Sequence, residues 1–455
     1  MPTVALSMIV RDAQQDLARC LESARDAVDE MVVADTGSRD ATIRMATECG
    51  ARIIQIPWEN DFARARNRAL EAVTADWVLV LDADEVLDPR AGPEVRRLVE
   101  NSKAGGFQVT IRNYVTDLNE RLWGLPAKAN DGALEAAKEF PAYLEHENVR
   151  LFRRHPDIYF VGRVHETTGW RIRETGAKLG KAGFLIHHFG MIADAASRAR
   201  KDALYRDLGR LKVQEMPQNA QAYFELGIVE LRNFQQAAEA SRRFERACEL
   251  NPKMGVAWFY AAVAQMQLGN FAAGLERLQA AHARGYRPPE AEELAGDALY
   301  NLGRFEAAAG SFRRARKEHR GRAQLRSKLG LALLRAGATQ EGLGELRAAI
   351  RSEPGNPENY DRLIKAEIWL SRLPEAAEAA EQKLSRATVE AGDYRRAASI
   401  CVQMKQYARA SALLHDGLSR FPTANSLQAA LDEIDARVRG DSTSSNSVVP
   451  VVAKE

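Results

Sequence analysis

Apolar residues in this chain follow two different spacings, and the change from one to the other divides it. Up to about residue 85, short apolar runs alternate with helical stretches, the pattern of a parallel sheet with crossover helices. Val4 to Val10 predicts a buried strand, and Leu17, Cys20, Leu21 and Ala24 then recur at helical spacing. The run Met31-Val32-Val33-Ala34 predicts a second strand that stops at Asp35. Asp40 is placed to cap the next helix, Ile43 and Ala46 supply its buried face, and Gly50 sits where a helix-ending glycine is wanted. Arg52 to Ile56 predicts the third strand. Asp61 can cap a further helix carrying Ala65, Leu70 and Val73, and the run Trp77 to Leu81 ends at Asp82. Two strands therefore end in carboxylates.

Between Pro89 and Met191 the pattern is less regular, with strands expected at Phe107 to Ile111 and Asn148 to Phe152. After about residue 195 the strand signal disappears, and alanine, leucine, glutamate and arginine recur with helical periodicity. Pro252, Pro288, Pro354 and Pro422 lie near repeat ends, at spacings close to one or two multiples of roughly 34 residues, the tetratricopeptide period. Short phrases repeat within the units: Asn233-Phe234, Asn270-Phe271 and Arg304-Phe305 each precede an alanine-rich helix. About six units are expected between residues 218 and 421, closed by a helix near Leu427 to Val438. The expected architecture is an α/β domain with a mostly parallel sheet (1–195), a connecting helix or linker (196–217), an all-α superhelical repeat array (218–440) and a disordered polar tail (441–455).

Composition narrows the function classes. At 455 residues the chain exceeds what one core serves, and a net charge of +2 gives no general attraction to nucleic acid or anionic membrane. The opening run has no basic leader and is broken by Arg11-Asp12, so it predicts a strand and not a membrane span. Four scattered cysteines give no C-x-x-C spacing, which fits a reducing cytoplasm. Trp58, Trp123 and Trp170 are expected to pack in the core, with stacking on a sugar or base as the alternative, and the basic stretch Arg313 to Arg322 is expected to be a solvated face, with an acidic partner or a membrane surface as the alternative.

In an open α/β sheet, ligands bind beyond the carboxyl ends of the strands, where Asp35, Asp82 and Asp84 fall. The spacing Asp82-Ala83-Asp84 lets one or both carboxylates reach a divalent cation holding a diphosphate. No G-x-G-x-x-G follows the first strand and no G-x-x-x-x-G-K-[ST] occurs, which argues against a dinucleotide dehydrogenase or a P-loop enzyme. Five of the eight histidines, His146, His155, His165, His187 and His188, cluster in the middle region.

Ser7-Met8-Ile9-Val10-Arg11, Val33-Ala34-Asp35-Thr36-Gly37-Ser38-Arg39-Asp40, Phe62-Ala63-Arg64-Ala65-Arg66-Asn67 and Leu81-Asp82-Ala83-Asp84-Glu85 together resemble the ordered signatures of inverting family 2 glycosyltransferases with the GT-A fold. The resemblance covers the first 85 residues or so, and similar bacterial proteins also carry tetratricopeptide repeats. It implies that Val10 and Arg11 border the nucleobase, that Asp35 contacts base or ribose, and that Arg66 and Asn67 contact the nucleotide. An Asx-turn is the alternative role of Asp35. It also implies that Asp82 meets the donor and the metal, with Asp84 as a metal ligand. Phe160 to Glu166 resembles the acceptor-site segment, which makes Glu166 the general base and His165 an acceptor-site residue. Leu185 to Met191 resembles the closing His-Tyr-Gly-Tyr segment, with His188 at the metal and Phe189 and Met191 lacking the family's hydroxyls. Adjacent histidines on a strand face opposite ways, so at most one reaches the ion.

These readings imply a Mn²⁺- or Mg²⁺-dependent enzyme using a nucleotide sugar, a UDP-sugar first among them. The acceptor is expected to be a protein or peptide held in the groove of the repeats. An envelope glycan acceptor, with the repeats serving a homo-oligomer or docking, and a non-catalytic scaffold are the competing readings.

Overall fold

The computed structural model describes residues 1–100, 102–118, 120–122, 125–132, 134–190, 195–318 and 322–438. Trp123, Met191, Arg320 and the tail 441–455 thus lie outside the described residues. The chain forms two compact units, Met1–Leu268 with Ala280–Pro288, and Gly269–Gln279 with Pro289–Glu455.

The first unit opens as the apolar pattern predicts: β1 (Val4–Val10), α1 (Leu17–Ala24), β2 (Glu30–Asp35), α2 (Thr42–Glu48), β3 (Arg52–Gln55), α3 (Phe62–Glu71) and β4 (Trp77–Val80). Then follow β5 (Glu85–Leu87), α4 (Ala91–Glu100), β6 (Ala104–Val115), β7 (Arg121–Leu122), β8 (Leu125–Pro126), β9 (Lys128–Ala129), β10 (Ala142–Arg153), α5 (Gly169–Glu174) and β11 (Lys178–His188). Asp61 caps α3 by accepting from the Arg64 amide at 2.9 Å. Asp40 sits one residue before the cap position of α2, which Ala41 occupies, and bonds the Thr42 amide and the Gln14 amide instead. Gly50 takes φ +84° just past α2.

The strands order as β3-β2-β1-β4-β10-β6-β11-β5. β3, β2, β1 and β4 run parallel, whereas β10 pairs antiparallel with β4 and β6, so the sheet as a whole is mixed. Alternation along β1 divides the core between two faces. Val4, Leu6, Met8 and Val10 pack with Leu17, Cys20, Leu21 and Ala24 of α1, and Ala5 packs on the other face with Val78, Val80 and Ala63 of α3. Trp77 is fully buried, Trp58 is half-buried, and Trp170 is 39% exposed, so neither Trp58 nor Trp170 is a core residue.

After α6 (Ala195–Glu215) come helices in pairs: α7 (Ala220–Arg232) and α8 (Ala237–Leu250), α9 (Gly255–Gln267) and α10 (Phe271–Ala283), α11 (Ala291–Asn301) and α12 (Phe305–Glu318). Three more pairs are α13 (Ala323–Arg335) and α14 (Thr339–Ser352), α15 (Pro357–Trp369) and α16 (Leu373–Arg386), and α17 (Ala391–Gln403) and α18 (Tyr407–Arg420). A single helix, α19 (Asn425–Val438), follows. Helices α6 to α9 belong to the first unit and α11 to α19 to the second, with α10 divided between them. Successive pairs begin at intervals of roughly 34 residues, the tetratricopeptide period. In two of the pairs, a glycine of the first helix admits an aromatic ring of the second: a Cβ on Gly227 would lie 2.7 Å from Phe244, and one on Gly296 would lie 2.5 Å from Phe312. In the second unit the basic stretch is ion-paired across helices, Arg313 to Glu341, Arg314 to Glu292, Arg316 to Glu345 and Arg322 to Glu293. It laces neighbouring repeats together more than it offers a free cationic face. Among the described residues, no helix is long and apolar enough to cross a membrane. The four cysteines are free thiols.

Candidate active site

The carboxyl ends of β1, β2 and β4 open onto a cavity of about 800 Å³. Its first wall is built by the parallel half of the sheet. Ile9, Val10, Arg11 and Thr36 line it, and the loops after β1 and β2 are tied together where Ser38 Oγ accepts from the Asp12 amide and Asp12 accepts from the Arg39 amide. Asp35, at the end of β2, is outside the lining: its carboxylate accepts from the Gly37 amide at 3.0 Å and the Ser38 amide at 3.1 Å. That is the Asx-turn alternative, and the bonds shape the loop that carries Thr36.

The antiparallel half supplies what the parallel half lacks. Because Leu151 of β10 pairs with Leu79 of β4, the next residues of β10 toward its start, Asn148 to Arg150, come alongside the carboxyl end of β4. Arg150 therefore reaches Glu85 at 2.7 Å and Asp82 at 3.3 Å. From α3, Arg66 donates through Nη2 to Asp82 at 2.5 Å and through Nε to Glu166. The result is a chain of ionisable groups, Glu85–Arg150–Asp82–Arg66–Glu166, of which all but Glu85 line the cavity. Arg66 is 7% exposed, and its third nitrogen, Nη1, is buried without a protein partner.

The titration behaviour follows from this arrangement. Burial pushes the Asp82 carboxyl upward, but the flanking Arg66 and Arg150 outweigh it and hold Asp82 well below the ordinary carboxylate range. Glu85 is 1% exposed, and burial together with repulsion from Asp82 pushes it up to about 7 despite Arg150. Tyr205, on α6, is raised by burial and then by Glu166, Asp82 and Asp84, so its phenol stays protonated.

The adjacent histidines face opposite ways, as expected for a strand. His187 points to Tyr114, whose hydroxyl is 2.8 Å from Nδ1, while His188 points into the cavity. Pairing of β11 with β6 and β5 sets His188 opposite Asn113 and Glu85. The Asn113 amide nitrogen faces the Leu144 carbonyl and His146 Nδ1, so its oxygen accepts from His188 Nδ1 at 2.7 Å. His146 itself is pushed down to about 4, chiefly by burial, and is a neutral acceptor in that bond. His188 Nε2 is thereby turned toward Asp84 Oδ2, 3.3 Å away. Burial lowers His188, but Asp84, Glu85 and Asp82 together raise it further.

This donor set fits a divalent ion in part. A carboxylate oxygen and an imidazole nitrogen whose tautomer is fixed from behind by an amide are the right types. Asp82, the third expected ligand, has its oxygens on two arginines, and among the described residues no group of three or more His, Cys, Asp or Glu could hold an ion.

Of the other expected site residues, Val10, Arg11, His165 and Glu166 line the cavity. Asn67 does not; both ends of its amide bond the Phe160 backbone, at 3.0 and 2.8 Å, and hold the segment that leads to Glu166. The residues that the sequence did not single out are Glu85, Asn113, Arg150, Tyr205 and the α6 pair Arg200 and Lys201. A lone arginine inside the apolar run Val149-Arg150-Leu151 was the available signal for one of them.

Residues 6–195 match the family model described as "Glycosyl transferase family 2". A TPR repeat-containing protein of Synechococcus elongatus is 40% identical over 166 residues, 36% of this chain and 35% of that protein. The SPbeta prophage-derived glycosyltransferase SunS of Bacillus subtilis is 24% identical over 168 residues, 36% of this chain and 34% of that one. The chain thus spans about a third of the length of these curated relatives. Among solved structures, a tetratricopeptide repeat protein from Parabacteroides merdae aligns over 52% of this chain and 96% of its own, at 14% identity and a TM-score of 0.39. By its family match and by the α/β sheet that carries the motifs, the N-terminal domain belongs to the family 2 glycosyltransferases, and in this chain it is followed by tetratricopeptide-like helical repeats.

Proposed function

We propose that the chain transfers a sugar from a nucleotide-sugar donor, a UDP-sugar in the first instance, to a protein or peptide acceptor engaged by the repeats, with inversion at the anomeric carbon. The single observation that carries this reading is the polarity of the cavity. Asp84 and His188 face one another within its lining, and Glu166 is tied through Arg66 to Asp82, which Arg150 also holds.

In this reading the nucleoside lies along Ile9 to Arg11 and Thr36, and the diphosphate points toward Asp84 and His188. A Mn²⁺ or Mg²⁺ ion held there by Asp84 and His188 would neutralise charge on the departing diphosphate. Arg66, which lines the cavity, supports the same end by its positive charge beside donor-substrate oxygens. Arg200 and Lys201 add positive charge at the rim. Glu166, aimed by Arg66, takes the proton from the acceptor as the acceptor atom forms its bond to the anomeric carbon. The bond from that carbon to the diphosphate oxygen breaks on the opposite face, and the nucleoside diphosphate leaves with the electron pair.

The test is incubation with Mn²⁺ and a panel of UDP- and GDP-sugars, read as release of nucleoside diphosphate. Slow hydrolysis of at least one donor, lost in Asp84→Asn, is the expected result. Silence across the panel sinks the reading in favour of a scaffold.

A further inference from the structure

Glu166 sits on a short excursion, Phe160 to Thr167, closed at its base by a bridge between Val161 and Thr167. Such a segment has little regular structure to hold it, so its position depends on what it is tied to. One set of ties comes from the sheet domain: Asn67 clamps Phe160, and the Phe62 amide donates to the Arg163 carbonyl at 2.9 Å. The other set comes from α6. Arg163 forms a bidentate pair with Glu215, and Lys212 donates to the Val164 carbonyl at 2.7 Å. His165, whose ring meets Tyr205 of α6 edge-on at 5.8 Å, holds φ +52°, a conformation that a non-glycine residue keeps only when its surroundings enforce it.

Lys212 is the unusual member. It is 6% exposed, and a lysine so buried needs a counter-charge. That charge is Glu225 of α7, at 2.8 Å, on the first helix of the repeats. The approach is close enough to dictate sequence on the other side: a Cβ on Gly162 would lie 3.0 Å from Lys212 Nζ, and Gly162 also holds φ +102°. Beside these residues in the chain, Val213, Ala222 and Leu226 form a small apolar cluster between α6 and α7.

We infer that Lys212 is a positioning residue through which the first repeat helix fixes the base-bearing segment. Its ammonium joins the Glu225 carboxylate to the carbonyl two residues before Glu166. The helical repeats are then part of how the catalytic carboxylate is set, in addition to any acceptor they engage. The inference rests on Glu166 as the general base, but the coupling itself can be read without turnover.

The experiment uses the full chain with Lys212→Met, and with Lys212→Met combined with Glu225→Gln so that no unpaired carboxylate is left to unfold α7. Hydrogen exchange of the 161–167 amides is expected to quicken roughly tenfold to a hundredfold, while β1 and β4 exchange as in the parent. For donor hydrolysis, kcat is expected to fall by about the same factor with the donor KM within about twofold, the split expected of a misplaced catalytic group. Unchanged exchange in that segment overturns the coupling whatever the turnover. Quickened exchange beside a parent protein that hydrolyses no donor upholds the coupling and rejects the catalytic reading.

Discussion

Arg66→Met severs the charge chain at its centre, and the structure allows the cost to be worked out. Two charge-assisted hydrogen bonds disappear, to Asp82 and to Glu166, each worth about 1.5–3 kcal/mol. The upper end of that sum does not apply. Asp82 keeps Arg150 at 3.3 Å, and its side chain is 36% exposed toward the cavity, so water recovers part of the loss. Glu166, 13% exposed, recovers less. A net destabilisation of about 3 kcal/mol at neutral pH is the expected outcome, the low end of what breaking a buried pair costs. The pH dependence has a definite sign. Asp82 is held below its unfolded value, so its stabilising contribution is complete above the unfolded carboxylate range and is lost as the pH falls through the lower, folded value. In the variant, burial no longer meets the same opposition, so Asp82 takes up its proton earlier and the deficit shrinks as the pH approaches about 4. Calorimetric scans of parent and variant at neutral and mildly acidic pH, in chelator, make the comparison. Arg66→Lys is expected to lie between them, because one ammonium cannot span two carboxylates as the guanidinium fork does. A variant as stable as the parent at neutral pH, or a deficit that grows on acidification, refutes the reasoning.

Further outcomes follow from the same geometry. Glu85 is raised to about 7, so its contribution is complete below the unfolded value and is lost as the pH rises through the folded one; Glu85→Gln should flatten the fall in stability between about pH 4.5 and 7, measured by urea unfolding in chelator. Asn113→Leu removes the bond that orients His188 and should weaken Mn²⁺-dependent UDP binding roughly tenfold to a hundredfold, by calorimetry, without unfolding the domain. Gly162→Ala meets both an unfavourable φ and Lys212, and should lower turnover and cost about 1–3 kcal/mol of stability.

What the sequence disclosed and what it withheld have a common physical origin. Strands β1, β2, β3 and β4, the carboxylates that end two of them, and the six helix pairs with α19 behind them all show in local apolar spacing. Arg150, Asn113 and the facing of His188 depend on antiparallel register between segments far apart in the chain, and no local pattern encodes that register. Asp35 and Asn67 illustrate the converse. Both stand at motif positions beside the cavity, but their polar atoms are used on nearby backbone, in a turn and in a clamp. Composition places the α6 residues in a connecting helix or linker, and only the fold shows Tyr205, Arg200 and Lys201 on the cavity wall.

The central claim is that a divalent ion at Asp84 and His188 prepares this cavity for a nucleoside diphosphate. Titration calorimetry of UDP into the full-length protein, with Mn²⁺ and then with chelator, tests it most directly. Heat of binding that requires Mn²⁺ and vanishes in Asp84→Asn is the predicted result. Binding that is indifferent to the ion and to Asp84, or no heat with any common nucleoside diphosphate, contradicts it.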